Sequence, residues 1–334
     1  MAGGTEDRRD LVLLGGSAGA IEVLRPILSG LPGDLPAAVL VVVHTSAHDP
    51  SGLVSVLGRC GPLPVSVAEN ETPLKPGHVY VAVPGRHLLV RDGMMLVSAA
   101  PKQNRARPSV DALFRSAARW RGPRAVAVQL SGSLDDGAVG LAAVSAAGGA
   151  CIVQDPGDAL QASMPKAALA VVPNAKVLPG RDIADCIVSL LSERIDPVRF
   201  QPDPDLIMEA DMAEKYAEGI TDRRPGRPAA LSCPDCTGGM NVVETAGAVH
   251  YTCHTGHIWS PQSLLHAQQD KVESALWTAL SILDEQARVY DVLAGSHDDP
   301  ATGVAGRHQR AAAQEVRSAA EVIRKHFPDI VLDR

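Results

Sequence analysis

Short β-branched runs alternate with stretches of helical spacing over residues 11–193, and this alternation constrains the fold more than any other feature of the chain. LVLL (11–14) and AAVLVVVH (37–44) are apolar at almost every position, which suits strands covered on both faces. HVYVAV (78–83), AVAVQLSG (125–132) and ACIVQ (150–154) read as further strands, and HLLVRDGMMLVSA (87–99) predicts a hairpin turning at Asp92-Gly93. IEVLRPILSGL (21–31), SVDALFRSAARW (109–120) and GAVGLAAVSAAGG (137–149) read as helices, the second with Ser109 as N-cap. Strands separated by helices predict an α/β fold, with a mostly parallel sheet and helices on both faces.

Beyond this region the pattern changes. Residues 1–195 form the expected catalytic domain, and FQPDPDLIMEADMAEKYAEGITDRRPGRPAA (200–230) is charged and proline-rich. It reads as a linker, at 196–230, with one short helix. A cysteine module (231–260) and a helical tail (261–334) follow. With 46% hydrophobic residues but only 3% aromatics, the core must be built from Ala, Val, Leu and Ile. The formal charge of -7 argues against a general nucleic-acid binder. No stretch approaches the ~20 apolar residues of a membrane helix, and LVLLGG is too short for a signal sequence. A cytoplasmic protein that does not insert into membranes is expected.

Three positions carry the chemistry. Ser17 lies in GGSAGA between the first strand and the first helix, where glycines allow a sharp turn. Backbone N–H groups and the helix dipole there can stabilise a developing oxyanion. A phosphate cradle is the alternative for such a turn. The spacing is not G-x-G-x-x-G, however, and the second strand ends in His44, where a dinucleotide binder places an acid. Asp136, in LSGSLDDGAVG, follows the end of another strand. Taken singly, His44 reads as a structural histidine and Asp135 or Asp136 as a helix cap. Together they place a Ser, a His and an Asp at carboxyl ends of strands in one sheet. A serine hydroxyl needs a base within reach, and that base needs a carboxylate to orient it.

The blocks GGSAGA (15–20), VVVH (41–44), LKPGHVYVAVPGRHLLV (74–90), RPSVDALFRSAA (107–118), LSGSLDDGAVG (130–140) and QDPGDALQASMPKAALA (154–170) resemble, in this order, the catalytic domain of the CheB protein-glutamate methylesterases. The resemblance implies a Rossmann-like parallel sheet, hydrolysis of glutamate methyl esters on a methylated chemoreceptor-like protein, and deamidation of glutamine. It implies Ser17 as nucleophile, His44 as base and acid, and Asp136 as orienting carboxylate. It also implies an oxyanion hole from the backbone at Ala18 and Ser133, and no cofactor for catalysis. The chain departs from the family pattern in two places. Ser17-Ala18-Gly19-Ala20 stands for Ser-Thr-Gly-Gly, and Gly132-Ser133-Leu134-Asp135-Asp136-Gly137 stands for G-M-G-x-D-G. With the first catalytic strand starting by residue 11, a phosphorylated receiver is not expected, and control falls to the C-terminal part or a partner. The loop with Lys102, Arg105 and Arg107 either meets acidic groups of a receptor helix or is simply solvated.

Cys233-x-x-Cys236 followed by Cys253-x-x-x-His257 has the spacing of a small zinc-ribbon-like site, with His254 as a rival ligand. A structural zinc is expected to supply the stability such a small module lacks. Cys60, Cys151 and Cys186 read as reduced core residues. In the tail, Leu276, Leu280, Leu283, Ala287, Tyr290 and Ala294 share a face, as do Ala313, Val316, Ala320, Ile323 and Phe327, with a break at GSHDDPATG. The pattern fits an intramolecular antiparallel hairpin, or alternatively a homodimer or partner seam. A second reading of the whole chain is a weakly catalytic adaptor that binds signalling proteins through the zinc module and these helices.

Overall fold

A computed structural model describes residues 7–45, 50–195, 202–214, 225–295 and 303–327. Most of the break at GSHDDPATG, and residues 196–201 and 215–224 of the expected linker, lie outside the described residues. The chain divides into two compact units, residues 1–264 and 265–334.

The first unit opens with β1 (Leu11–Gly16), α1 (Ala20–Gly30), β2 (Ala38–Val43) and α2 (Ser51–Leu57). Next come β3 (Val65–Val67), β4 (Thr72–Pro73), β5 (His78–Val81), β6 (His87–Arg91) and β7 (Met94–Ser98). They are followed by α3 (Val110–Arg121), β8 (Ala125–Gln129), α4 (Ala138–Ala146), β9 (Ala150–Gln154), α5 (Ser163–Val171), β10 (Lys176–Leu178) and α6 (Ile183–Ser192). Seven of these strands form one sheet in the order β10-β9-β8-β1-β2-β5-β3. Every pairing within it is parallel. Strand side chains alternate between two cores. Leu11, Leu13, Leu40 and Val42 pack with α3 and α4, whereas Val12, Leu14, Val39 and Val41 pack with α1 and α6. This is why both central strands read as unbroken apolar runs. Burying such a side chain contributes roughly 1.5–3 kcal/mol. β6 and β7 form the expected hairpin, joined at Asp92-Gly93, and β4 extends it to a small antiparallel sheet.

The stretch read as a linker is more ordered than its composition implies. It contains α7 (Pro204–Glu214), which buries Leu206, Glu209, Ala210 and Ala213. This is the one short helix expected there, and its carboxylates are partnered rather than solvated. Glu214 accepts from the Trp120 indole at 2.8 Å, Asp211 pairs with Arg119 at 2.6 Å, and Glu209 pairs with His250 inside the protein. β11 (Arg227–Ser232) also begins within that stretch and joins β12 (Gly239–Thr245), β13 (Ala248–Cys253) and β14 (Ile258–Trp259) in an antiparallel four-stranded sheet. α8 (Pro261–Gly295) starts directly after it.

In the second unit α8 and α9 (Gly303–His326) run antiparallel, as the ion pairs Arg324–Asp284, at 2.7 Å, and Arg317–Asp291 require. Leu280, Ala287 and Ala294 face Ala313 and Ala320 in the buried seam. Phe327, expected in that seam, is 44% exposed because it lies just past the end of α9. No described helix is long and apolar enough to cross a membrane.

Candidate active site

Ser17 and His44 follow the ends of neighbouring strands. In the β1–β2 register Gly16 stands beside Val43, and the His44 N–H donates to the Gly16 carbonyl at 3.1 Å. One residue further along, Ser17 and His44 line the same cleft. The Ser17 N–H is anchored to the Ser131 carbonyl, 2.8 Å away, just past β8. The turn into α1 passes through Gly19 at φ 81, where a Cβ would come within 2.6 Å of Leu160 Cβ. Gly132 is fixed by close approach, since a Cβ there would lie 2.8 Å from Ser17 Cβ and 2.0 Å from Met164 Sδ. The backbone can reach the serine only without a side chain at 132.

Asp136 meets His44, Oδ2 to Nε2, at 2.8 Å. The neighbouring Asp135 instead accepts from Ser263 Oγ at 2.7 Å. Asp136 lies against the start of α3. Its Oδ2 also accepts from the Val110 N–H at 2.7 Å, and its Oδ1 from Ser109 Oγ at 2.7 Å, Asn104 Nδ2 at 3.0 Å and the Asp111 N–H at 3.3 Å. Burial alone would raise its pKa. The hydrogen bond and charge of His44, with the Asn104 and Ser109 donors, outweigh that and hold the carboxyl below its usual range. An ionised carboxylate is a pure acceptor, so Nε2 of His44 is the donor in this contact.

His87, Asn104 and Asp111 support this arrangement, and none stood out in the sequence as functional. The buried His87 accepts the Ser109 N–H on Nδ1 at 3.2 Å and donates from Nε2 to the Pro101 carbonyl at 2.9 Å. Desolvation pushes its pKa down to about 4. It is therefore a neutral prop for the Ser109 turn. Asp111 accepts from the Gly140 N–H at 2.6 Å and from Asn104 at 2.7 Å. Burial, followed by the charge of Asp136, raises it to about 7. The RPSVD block displays Ser109 and Asp111, but only the packing of α3 against the loop before α4 shows their use.

Ser17, His44, Ser133 and Leu134 line one cleft of about 380 Å³, rimmed by Lys102 and Arg105. Arg107 also reaches the cleft, but its guanidinium is tied to the Ala99 and Ala100 carbonyls at 3.0 and 2.9 Å. A more apolar cavity of about 420 Å³ shares Thr45 and Pro108 with the cleft but is lined by neither Ser17 nor His44. Ala18 stands just before α1, and its carbonyl accepts from Ser131 Oγ at 2.7 Å. Leu134 adopts φ 62, the left-handed region that favours glycine, at the position where the loop departs from G-M-G-x-D-G.

In the cysteine module the ligand atoms of Cys233, Cys236, Cys253 and His257 all lie within 4.8 Å of one another. Cys236 and Cys253 sulfurs are 3.6 Å apart, and His257 Nδ1 is 3.4 Å from Cys253 Sγ. Three thiols and an imidazole at these separations fit a tetrahedral zinc. His254 is not in the cluster.

The CheB methylesterase family model matches residues 12–187. A protein-glutamate methylesterase/protein-glutamine glutaminase 4 of Myxococcus xanthus (strain DK1622) is 43% identical over 159 residues, 47% of this chain and 45% of that protein. A protein-glutamate methylesterase/protein-glutamine glutaminase 2 of Anaeromyxobacter dehalogenans (strain 2CP-C) is 38% identical over 176 residues, 53% of this chain and 52% of that protein. The chain thus spans about half the length of these curated relatives. The crystal structure of the Thermotoga maritima CheB methylesterase catalytic domain superposes with a TM-score of 0.53 at 30% identity, covering 55% of this chain and 98% of that one.

Proposed function

Because this chain belongs to the CheB methylesterase family, we propose that it hydrolyses glutamate methyl esters on a chemoreceptor-like protein, and deamidates glutamine at the same positions, with Ser17, His44 and Asp136. The observation that carries this reading is the His44–Asp136 contact of 2.8 Å, with Ser17 in the same cleft.

In the mechanism, His44 Nδ1 takes the Ser17 proton as Oγ attacks the ester carbonyl. Backbone N–H groups at Ala18 and Ser133 receive the oxyanion, aided by the dipole of α1. The imidazolium returns its proton to the leaving methoxide, releasing methanol. Water, activated by the same nitrogen, then attacks the acyl-serine and regenerates the free hydroxyl. The Asp136 carboxylate stays ionised throughout and stabilises the imidazolium. Lys102 and Arg105 at the rim suit a substrate surface carrying free carboxylates beside the ester. No cofactor takes part in these steps. In the cysteine module, Cys233, Cys236, Cys253 and His257 would hold a structural zinc.

The test is methanol release from a methylated receptor cytoplasmic fragment. Ser17→Ala should reduce turnover by on the order of 10³-fold or more while the fold persists. Turnover retained in that variant would refute the nucleophile.

A further inference from the structure

We propose that the cysteine module is a working part of the esterase site: the junction between β14 and α8 holds Asn104, and Asn104 positions Asp136. This rests on the esterase reading above. The groups at that junction, Ile258, Ser260 and Ser263, lie well beyond residue 187, where the family match ends.

Asn104 is 5% exposed and adopts φ 49, a conformation asparagine tolerates. Its backbone N–H and its whole side-chain amide are engaged. The backbone N–H donates to the Ile258 carbonyl at 2.8 Å, and Oδ1 accepts from the Ser260 N–H at 2.8 Å. The two amide hydrogens go to Asp111 Oδ2 at 2.7 Å and Asp136 Oδ1 at 3.0 Å. The neighbouring Gln103 forms β-bridges with Ile258 and Ala106, and its side chain accepts from Arg115 of α3. The loop that lines the cleft is thereby stitched to β14.

The direction of the amide is the decisive feature. An asparagine side chain can turn over, exchanging its oxygen for its NH₂. Turned over here, the oxygen would face the ionised Asp136 carboxylate beside Asp111, and the NH₂ would face the Ser260 N–H. Both contacts are repulsive, and buried mismatches of this kind are costly. The Ser260 N–H therefore fixes the amide with both hydrogens on the carboxylates. A second strut runs beside it, because Ser263 Oγ, in the first turn of α8, donates to Asp135 at 2.7 Å. His257 of the candidate metal cluster immediately precedes Ile258, so the strut begins at the cluster itself.

Kinetics of the full-length chain on the methylated receptor fragment test the proposal. Asn104→Gly deletes the amide but suits the positive φ. It should lower kcat by about 10-fold or more and leave KM within about twofold, because orientation of the base is lost rather than substrate binding. With one donor fewer, the Asp136 carboxylate becomes a stronger base and holds the imidazolium more tightly. The midpoint of the acidic limb of the pH–rate profile should therefore move to higher pH. Ser260→Pro removes the backbone N–H, and Ser260→Ala keeps it. The proline variant should be at least about fivefold slower than the alanine variant in the native background, and no slower when Asn104→Gly is also present, as coupled sites require.

The proposal is overturned by a native kcat and pH profile in Asn104→Gly, by equal losses in the two Ser260 variants, or by losses that multiply in the double variant. Thermal melting checks that each variant folds. If Ser260→Pro does not fold, Asn104→Gly decides alone. Ser17→Ala in the same assay separates the two ideas. If it is inactive while Asn104→Gly is fully active, only the strut fails. If it is active, the triad fails and the strut with it.

Discussion

His44 and Asp136, 92 residues apart in the chain, meet at 2.8 Å through Nε2 and Oδ2, and the same Asp136 oxygen accepts the Val110 N–H of α3 at 2.7 Å. The carboxylate is thus shared between the His44 ring and a helix N-terminus. The helix dipole and its free N–H groups favour the charged form, and the charged form fixes the tautomer of His44. One group links the stability of α3 to the orientation of the His44 ring.

Asp136→Asn should therefore damage both. An amide cannot accept at both ends, so Nδ2 must oppose either the His44 donor or the N–H groups of the α3 turn. We expect kcat for methanol release to fall by on the order of 10³-fold or more. The thermal midpoint should fall too, whereas Ser17→Ala should leave it near the native value. Equal midpoints in the two variants would contradict the shared role of the carboxylate.

Acid sensitivity should trace to His87. Its folded pKa of about 4 lies below the ordinary 6.5, so between these values the unfolded chain binds a proton that the folded chain refuses. Stability contributed by the neutral ring is complete above about pH 6.5 and is lost as pH falls toward 4. At pH 5 the loss is roughly 2 kcal/mol relative to pH 7.5. Asp111, raised to about 7, shifts stability the other way over the same range, so urea unfolding must compare variants: between pH 7.5 and 5, His87→Gln should lose about 2 kcal/mol less stability than the native protein. An equal loss in both proteins would assign the acid sensitivity elsewhere.

Leu134 carries backbone strain in the loop beside the cleft. At φ 62 a leucine costs about 1 kcal/mol that a glycine does not. Leu134→Ala keeps the strain and loses the side chain, whereas Leu134→Gly loses both. The glycine variant should be more stable than the alanine variant by about 1 kcal/mol in denaturant titrations. An alanine variant as stable as the glycine variant would show that the loop relaxes.

The cysteine cluster predicts metal content. Protein purified without chelator should carry close to one zinc per chain, measured by atomic emission, and Cys236→Ser should lower that content markedly. Removing the metal should lower the thermal midpoint, since the energy of binding is part of the folding energy of so small a module. A metal-free native protein with the same midpoint would leave the cluster as reduced thiols.

What the sequence alone determined is everything with a local physical signature. The parallel sheet was legible because strands covered on both faces must be apolar throughout, as Leu11–Gly16 and Ala38–Val43 are. That a serine, a histidine and an aspartate lie near one another was legible because strand ends in such a sheet gather at one edge, whereas the choice of Asp136 over Asp135 rested on the family resemblance. Tertiary structure decided the rest. One short helix was legible in the charged stretch that holds α7, but only the partners Trp120, Arg119 and His250 explain how its carboxylates are accommodated. Asn104 sits in a loop with no periodicity, and its partners Ser260 and Asp136 lie far from it along the chain. Hydrogen bonds between distant segments leave no trace in local pattern, because they depend on how finished elements pack rather than on how each forms.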